Sequence, residues 1–210
     1  MTEVISNIYK AILHGDGSVV PEYVQSAIDE GIKPATILNE GMVKAMDEVG
    51  RLFDIGDYFI PDMLVAARAM QEGLRILRPV LVKAGVESTG KVIIGTVKGD
   101  LHDIGKNLVV MMLEGAAFEV IDLGVDVSPE IFVEALERTK APILGMSALL
   151  TTTMGNMKTV IKAIEAAGLR DNVKIIVGGA PLSQEFSKNI GADGYSSDAN
   201  HAVTLIKSLL

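Results

Sequence analysis

From Lys91 onward the sequence is built of short runs rich in apolar residues, KVIIGTV, FEVIDLG, PILGMSA, VKIIVGG and DGYSS, each followed by an amphipathic stretch. No other feature constrains the fold as much. Strands that are apolar on consecutive positions are covered on both faces, so five βα units joined by right-handed crossovers predict an open, doubly wound parallel sheet. This half of the chain is therefore expected to be α/β and Rossmann-like, of the flavodoxin-like kind, with ligands at the carboxyl edge of the strands.

The preceding residues follow a different period. Between Thr2 and about Lys83 the apolar positions recur at helical spacing, as in Leu38, Met42, Met46, Val49 and Phe53, or Met63, Ala67, Met70, Leu74 and Leu77. Breaks at His14–Gly17, Gly31–Pro34 and Asp54–Asp57 divide this stretch into four helices, with Pro61 in a first turn, where proline is tolerated. They predict a small four-helix bundle that caps the second half. Gly85–Gly90, GVESTG, loses the periodicity and reads as a linker, which gives domains at 1–88 and 89–210.

Composition narrows the chemistry. The 210 residues carry a formal charge of -8 with no basic cluster, which argues against a nucleic-acid partner. Cysteine is absent, so disulfides, thiolate metal sites and thiol nucleophiles are excluded, and His, Asp and Glu remain as ligands. Glu3, Lys10 and Asp16 among scattered apolar residues do not make a signal peptide, and no stretch is long enough to span a membrane. The expected location is the cytoplasm.

The candidate chemistry lies at the ends of the predicted strands. His102 follows the first apolar run by five residues, and Asp100 is placed to accept its second ring N–H, which would fix the tautomer and make the other nitrogen a better metal ligand. Taken singly, a loop histidine is more often solvated or capping, and Asp100 or Asp103 can cap the helix that starts near Ile104. Gly105 falls in the first helical turn, where glycine costs about 1 kcal/mol relative to alanine, and close approach of a ligand would account for it. After the third strand come Ser147, Leu149 and the hydroxyls of Thr151, Thr152 and Thr153. Some of these are expected to cap the next helix, and the surplus to bond a ligand or extend the Asp100–His102 pair. Gly178 and Gly179 end the fourth strand, as a tight turn or a close backbone contact with a phosphate or base. Tyr195 to Ala199 open the last helix, with Asp198 as a possible N-cap.

Asp100-x-His102-Asp103-Ile104-Gly105, then Ser147-x-Leu149, then Gly178-Gly179, on successive strand ends, resembles the cobalamin-binding domain shared by methionine synthase and the methyltransferase corrinoid proteins. Val49–Phe53 and Tyr58–Asp62 resemble the helical cap that precedes that domain, so the likeness covers nearly the whole chain. It implies cobalamin or a related corrinoid with its lower base displaced by His102 as the cobalt ligand. Asp100 would be the hydrogen-bond partner of His102, and Thr153 the third member of the relay, where methionine synthase has a serine. The resemblance also implies that Ser147, Leu149, Thr151, Gly178, Gly179, Tyr195 and Ala199 surround the nucleotide tail and that Phe59 touches the upper face.

The same resemblance implies a methyl carrier with no catalytic residues of its own, rather than a complete enzyme. Its partners would be a donor-specific methyltransferase, an acceptor methyltransferase using tetrahydrofolate or a thiol, and a reductive activation protein. A cobalamin-sensing regulator would need a DNA-binding module that the sequence lacks, and the small subunit of a cobalamin-dependent mutase would not need the helical cap. A receiver domain without corrinoid would need a fuller acidic cluster than Asp100 and Asp103.

Overall fold

The computed structural model describes residues 2–86 and 88–210. The chain divides into two compact units, one running to Thr89 and including Met111–Phe118, the other comprising Gly90–Val110 and Glu119–Leu210.

The first unit is helical. It contains α1 (Glu3–Leu13), α2 (Val20–Asp29), a continuous helix made of α3 (Pro34–Thr36), a π-helical stretch (Ile37–Val43) and α4 (Lys44–Asp54), and then α5 (Ile60–Lys83). These are the four helical runs that the apolar spacing predicts. The turns fall where the breaks are, with Gly15, Gly31 and Gly56 at positive φ. The buried stripe of α5, including Met63, Met70, Leu74 and Leu77, repeats every three to four residues and so forms one face. Gly73 on that face is required by packing, since a Cβ there would lie 2.7 Å from Met42 and 2.8 Å from Val20. The helix α5 starts at a proline-bearing first turn whose Asp62 carboxylate accepts the Phe59 N–H at 2.8 Å.

The predicted linker is tied down at its far end. Thr89 donates its N–H to Ala117 O and its hydroxyl to Ala116 O, both at 3.0 Å. Glu87, in the middle of that segment, lies outside the described residues.

The second unit is a five-stranded parallel sheet in the order β2-β1-β3-β4-β5, where β1 is Lys91–Thr96, β2 Glu119–Asp122, β3 Ile143–Ser147, β4 Lys174–Gly178 and β5 Gly194–Ser196. The helices α6 (Ile104–Gly115), α7 (Pro129–Thr139), α8 (Asn156–Ala166), α9 (Gln184–Ile190) and α10 (Ala199–Leu209) complete the βα alternation. Fully buried Ile93, Leu144, Ile175 and Val177 of the strands pack with Phe132 of α7 and Val160 and Ile164 of α8. The strand order reverses at β1: the chain steps from β1 to β2 on one side and returns to β3 on the other. The loops after β1 and β3 thus diverge from neighbouring strands and leave a crevice at the carboxyl edge, the usual place for a ligand in such sheets.

Gly95 of β1 has no side chain because Phe132 occupies the space, its ring 2.9 Å from where a Cβ would be. We expect Phe132→Ala to destabilise the sheet unit by about 3–5 kcal/mol, the usual loss for an emptied core aromatic site. Urea denaturation followed by circular dichroism measures this, and a loss near zero would show that α7 does not organise the sheet.

Candidate functional site

The site begins at the end of β1. The chain turns through Gly99, at φ +81°, and brings Asp100 inward, where its side chain is fully buried. A buried carboxylate is tolerated only if its oxygens are supplied with donors. Oδ1 accepts the backbone N–H of His102 at 3.1 Å and lies 2.7 Å from the Nδ1 of the same residue. Oδ2 accepts the Thr153 hydroxyl at 2.6 Å and the N–H groups of Leu149 and Leu150 at 2.8 and 3.3 Å. Burial alone would raise the pKa of Asp100. The bonds from Thr153, Leu149 and His102 outweigh it and hold the carboxyl well below the usual carboxylate range.

An anionic Asp100 sets the tautomer of His102. In the neutral imidazole, Nδ1 donates to Oδ1 and Nε2 is the nitrogen with the lone pair. The imidazole is 49% exposed while its partner is 0% exposed, so the ring is anchored on one side and open on the other. The backbone is anchored too: the buried Thr96 hydroxyl donates to the His102 carbonyl at 3.0 Å. The loop is further held by Gly99 N–H on Asp126 Oδ1 at 2.7 Å, Asp126 N–H on Asp100 O at 3.0 Å, and Asn156 Nδ2 on Lys98 O at 2.7 Å.

The two loops that supply these groups also carry large exposed apolar side chains. Leu101 is 72% exposed, Ile104 87%, Leu149 44% and Leu150 40%. Gly105, next to Ile104, has nothing within 4 Å of where a Cβ would stand. A half-exposed imidazole on loops that also carry exposed apolar side chains, with open space at a glycine, can accept a largely apolar ligand.

The structure brings Asp100, His102 and Thr153 together and adds Leu149 through its backbone N–H. Asp103 is engaged by Asn107, whose Nδ2 donates to Oδ2 at 3.0 Å. The carbonyl of Ser147 accepts the Val97 N–H at 3.0 Å, and Thr151 is exposed. Gly178 O accepts the Ala148 N–H at 3.3 Å. Gly179, at φ +135°, would place a Cβ 1.9 Å from Ala148 O, so glycine is demanded there by the fold's own backbone. Tyr195 packs partly buried against the sheet core, and Ala199 is buried in the first turn of α10, which Asp198 caps by accepting the His201 N–H at 2.8 Å. Phe59 belongs to the helical unit and is 66% exposed.

One expectation is corrected. No hydroxyl of the third loop caps the next helix, because the N-cap of α8 is Gly155 without a side-chain bond, and the buried charge of Asp100 recruits Thr153 instead. Thr96, Asp126, Asn156 and the two leucine amides join the site without belonging to the motifs that mark it in sequence. The positions of Asp126 and Asn156, polar residues just after a strand and at a helix start, were the available signals; the amides gave none.

The chain resembles known cobalamin-binding proteins along nearly its whole length. Two models, each described as a B12 binding domain, match residues 90–204 and 4–78. A corrinoid protein of Desulfitobacterium hafniense is 42% identical over 99% of this chain and 97% of its own, and the trimethylamine corrinoid protein of Methanosarcina barkeri is 40% identical at the same coverage. Among solved structures, a chain of the methanol:cobalamin methyltransferase complex MtaBC from Methanosarcina barkeri superposes with a TM-score of 0.89 at 32% identity, covering 99% of this chain and 79% of that one. A cobalamin-binding protein from Desulfitobacterium hafniense superposes at 0.81 with 31% identity, covering 98% of both. Among the described residues no helix is long and apolar enough to cross a membrane.

Asp100 has a depressed pKa in the folded state, so its ionised form contributes stability that is complete above the unfolded value near 4 and is lost as pH falls through the lower folded one. Thr153→Val removes one donor and makes that depression smaller. We expect it to cost about 1.5–3 kcal/mol at neutral pH, as for a hydrogen bond to a charged group. Urea midpoints taken at descending pH should show the gap between variant and parent narrowing below about pH 4, and a gap independent of pH would mean that the hydroxyl does not serve the charge.

Proposed function

Since this chain belongs to the B12-binding corrinoid proteins of methyltransferase systems, we propose that it holds the corrinoid with His102 as the protein's cobalt ligand and carries a methyl group between two methyltransferases. The observation that supports this reading best is the oriented imidazole, tied at Nδ1 to a buried anion and open at Nε2.

The donor set fits the cofactor. Among the described residues there is no cluster of three or more His, Asp or Glu able to hold a bare ion, so a metal at His102 must arrive with its other ligands already in place. A corrin ring supplies four of them. The bound corrinoid provides the cobalt centre on which the methyl group is carried. The protein provides what surrounds it. His102 would offer Nε2 in place of the cofactor's own benzimidazole, and Asp100 would hold the proton on Nδ1 and so fix which nitrogen is presented. Thr153 and the two leucine amides keep Asp100 ionised. Leu101, Ile104, Leu149 and Leu150 are exposed to accept the apolar rim, and Gly105 leaves room for it. We assign the displaced nucleotide tail to the hydroxyl-bearing and small residues that end β3 and β4, Ser147, Thr151 and Gly178.

Among the described residues the interior of the helical unit is filled by apolar side chains such as Met42, Met63, Met70 and Leu77. We assign recognition of the methyl donor and acceptor to partner enzymes, and reductive reactivation of the cofactor to a third protein. Relatives of similar full length are named for trimethylamine and for dimethylamine, which supports one carrier architecture used in systems with different donors.

The test is spectroscopic. The purified protein, reconstituted with hydroxocobalamin and reduced to the paramagnetic cobalt(II) state, should show nitrogen splitting that changes when histidine is isotopically labelled. His102→Ala should lose that labelled splitting and carry methyl groups poorly in a reconstituted transfer assay. A parent protein that stays colourless, or whose splitting comes only from the cofactor's own dimethylbenzimidazole, would refute the proposal.

A further inference from the structure

Lys106 is 97% sequestered from solvent, being only 3% exposed, and it stands in the first turn of α6. Both facts need a reason. A buried ammonium is costly unless it is paired, and a cation at a helix N-terminus opposes the helix dipole. Its Nζ donates to Asp122 Oδ2, the last residue of β2, and to Asn107 Oδ1 at 2.7 Å.

The partners of Lys106 lead back to the metal-ligand candidate. Asn107 Nδ2 donates to Asp103, the residue after His102. The other oxygen of Asp122 accepts the Gly124 N–H at 2.9 Å, and Gly124 O accepts the Thr96 N–H at 3.0 Å. Thr96 then gives its hydroxyl to the His102 carbonyl at 3.0 Å. The ammonium thus joins the start of α6, the end of β2 and the end of β1 in one chain of bonds that ends on the His102 backbone. Asp100 fixes the imidazole from one side, and this second chain fixes the peptide that carries it from the other. Ile104 and Gly105, the exposed residues of the same helical turn, lie between the two anchors.

We infer that Lys106 is a positioning residue for the corrinoid: through Asp122, Gly124 and Thr96 it sets the place of the His102 backbone and of the Ile104–Gly105 turn, and so determines how fully His102 ligates the bound cobalt. The inference rests on the assignment of His102 as ligand. It differs from a purely structural role, in which loss of the lysine would lower stability and leave ligation unchanged in the molecules that remain folded.

The experiment compares Lys106→Met with Lys98→Met, an exposed lysine of the preceding loop, in the full chain. Circular dichroism establishes folding, titration with hydroxocobalamin gives the dissociation constant, and the labelled-histidine splitting at saturating corrinoid gives the share of cobalt ligated by His102. We expect Lys106→Met to weaken binding about 10–100-fold, the usual effect of removing a group that orients a metal ligand, and to lower the His-ligated share, while Lys98→Met matches the parent in both. Should Lys106→Met not fold, Asp122→Asn, which keeps the volume and an acceptor oxygen but removes the charge, carries the same comparison with a smaller expected loss. A folded Lys106→Met, or in its place a folded Asp122→Asn, with parental affinity and parental His-ligated share overturns the inference. A parent without labelled splitting overturns the ligand assignment itself, so the two failures are distinguishable.

Discussion

The buried charge of Asp100 is the constraint from which the site follows. Taking a carboxylate out of water costs several kcal/mol unless donors replace the lost hydration, and this one is fully buried between two loops that come from different strands. Its donors are the Thr153 hydroxyl, the amides of Leu149 and Leu150, and the amide and ring of His102. No set drawn from one loop alone would satisfy both oxygens, so the loop after β1 must close on the loop after β3. The imidazole is oriented by that closure because Oδ1, already held in place, leaves a single position for Nδ1. The orientation of His102 is therefore a product of folding and precedes any ligand.

The sheet order makes the closure possible. Because β1 lies between β2 and β3, its carboxyl end is flanked by two loops that leave in different directions, and residues from both reach the same crevice. The β2 side contributes Asp126 to Gly99 and Asp122 to Lys106; the β3 side contributes Thr153 and Asn156. An edge strand would have had one such neighbour, and its loop would have been held from one direction only. Placement of the histidine on the first strand and placement of that strand inside the sheet are parts of one arrangement.

Much of this was legible in the residues, and the exceptions have physical causes. The strands, the breaks between the helices and the Asp100–His102 pair are written in side-chain chemistry, and the structure has them in those places. The partners of Asp100 on the other loop are mostly backbone amides, which any residue supplies, so Leu149 and Leu150 read as apolar lining. Thr153 was visible as a hydroxyl but looked equally like a helix cap, because the choice between capping and meeting a buried charge depends on where Asp100 points. Gly179 admits two readings in sequence, a tight turn or a backbone contact with a ligand, and the carbonyl of Ala148, which forbids any side chain there, is by itself enough to demand glycine. Lys106 of α6 carries no sequence signal of its burial, since that burial depends on Asp122, sixteen residues away at the end of β2.

The site joins a rigid floor to a rim that is unfavourable without a ligand. The floor is fixed by bonds from three loops, while Leu101, Ile104, Leu149 and Leu150 remain exposed around it. Exposed apolar clusters of this kind usually mark surfaces that are covered in the working molecule. Rigidity of the floor lowers the ordering cost of binding, and covering the rim adds hydrophobic stabilisation of about 25 cal/mol per Å² of apolar area removed from water. An apolar ligand seated there would therefore draw affinity from the covered rim and from the preformed floor together, and the floor's bonds would fix its place.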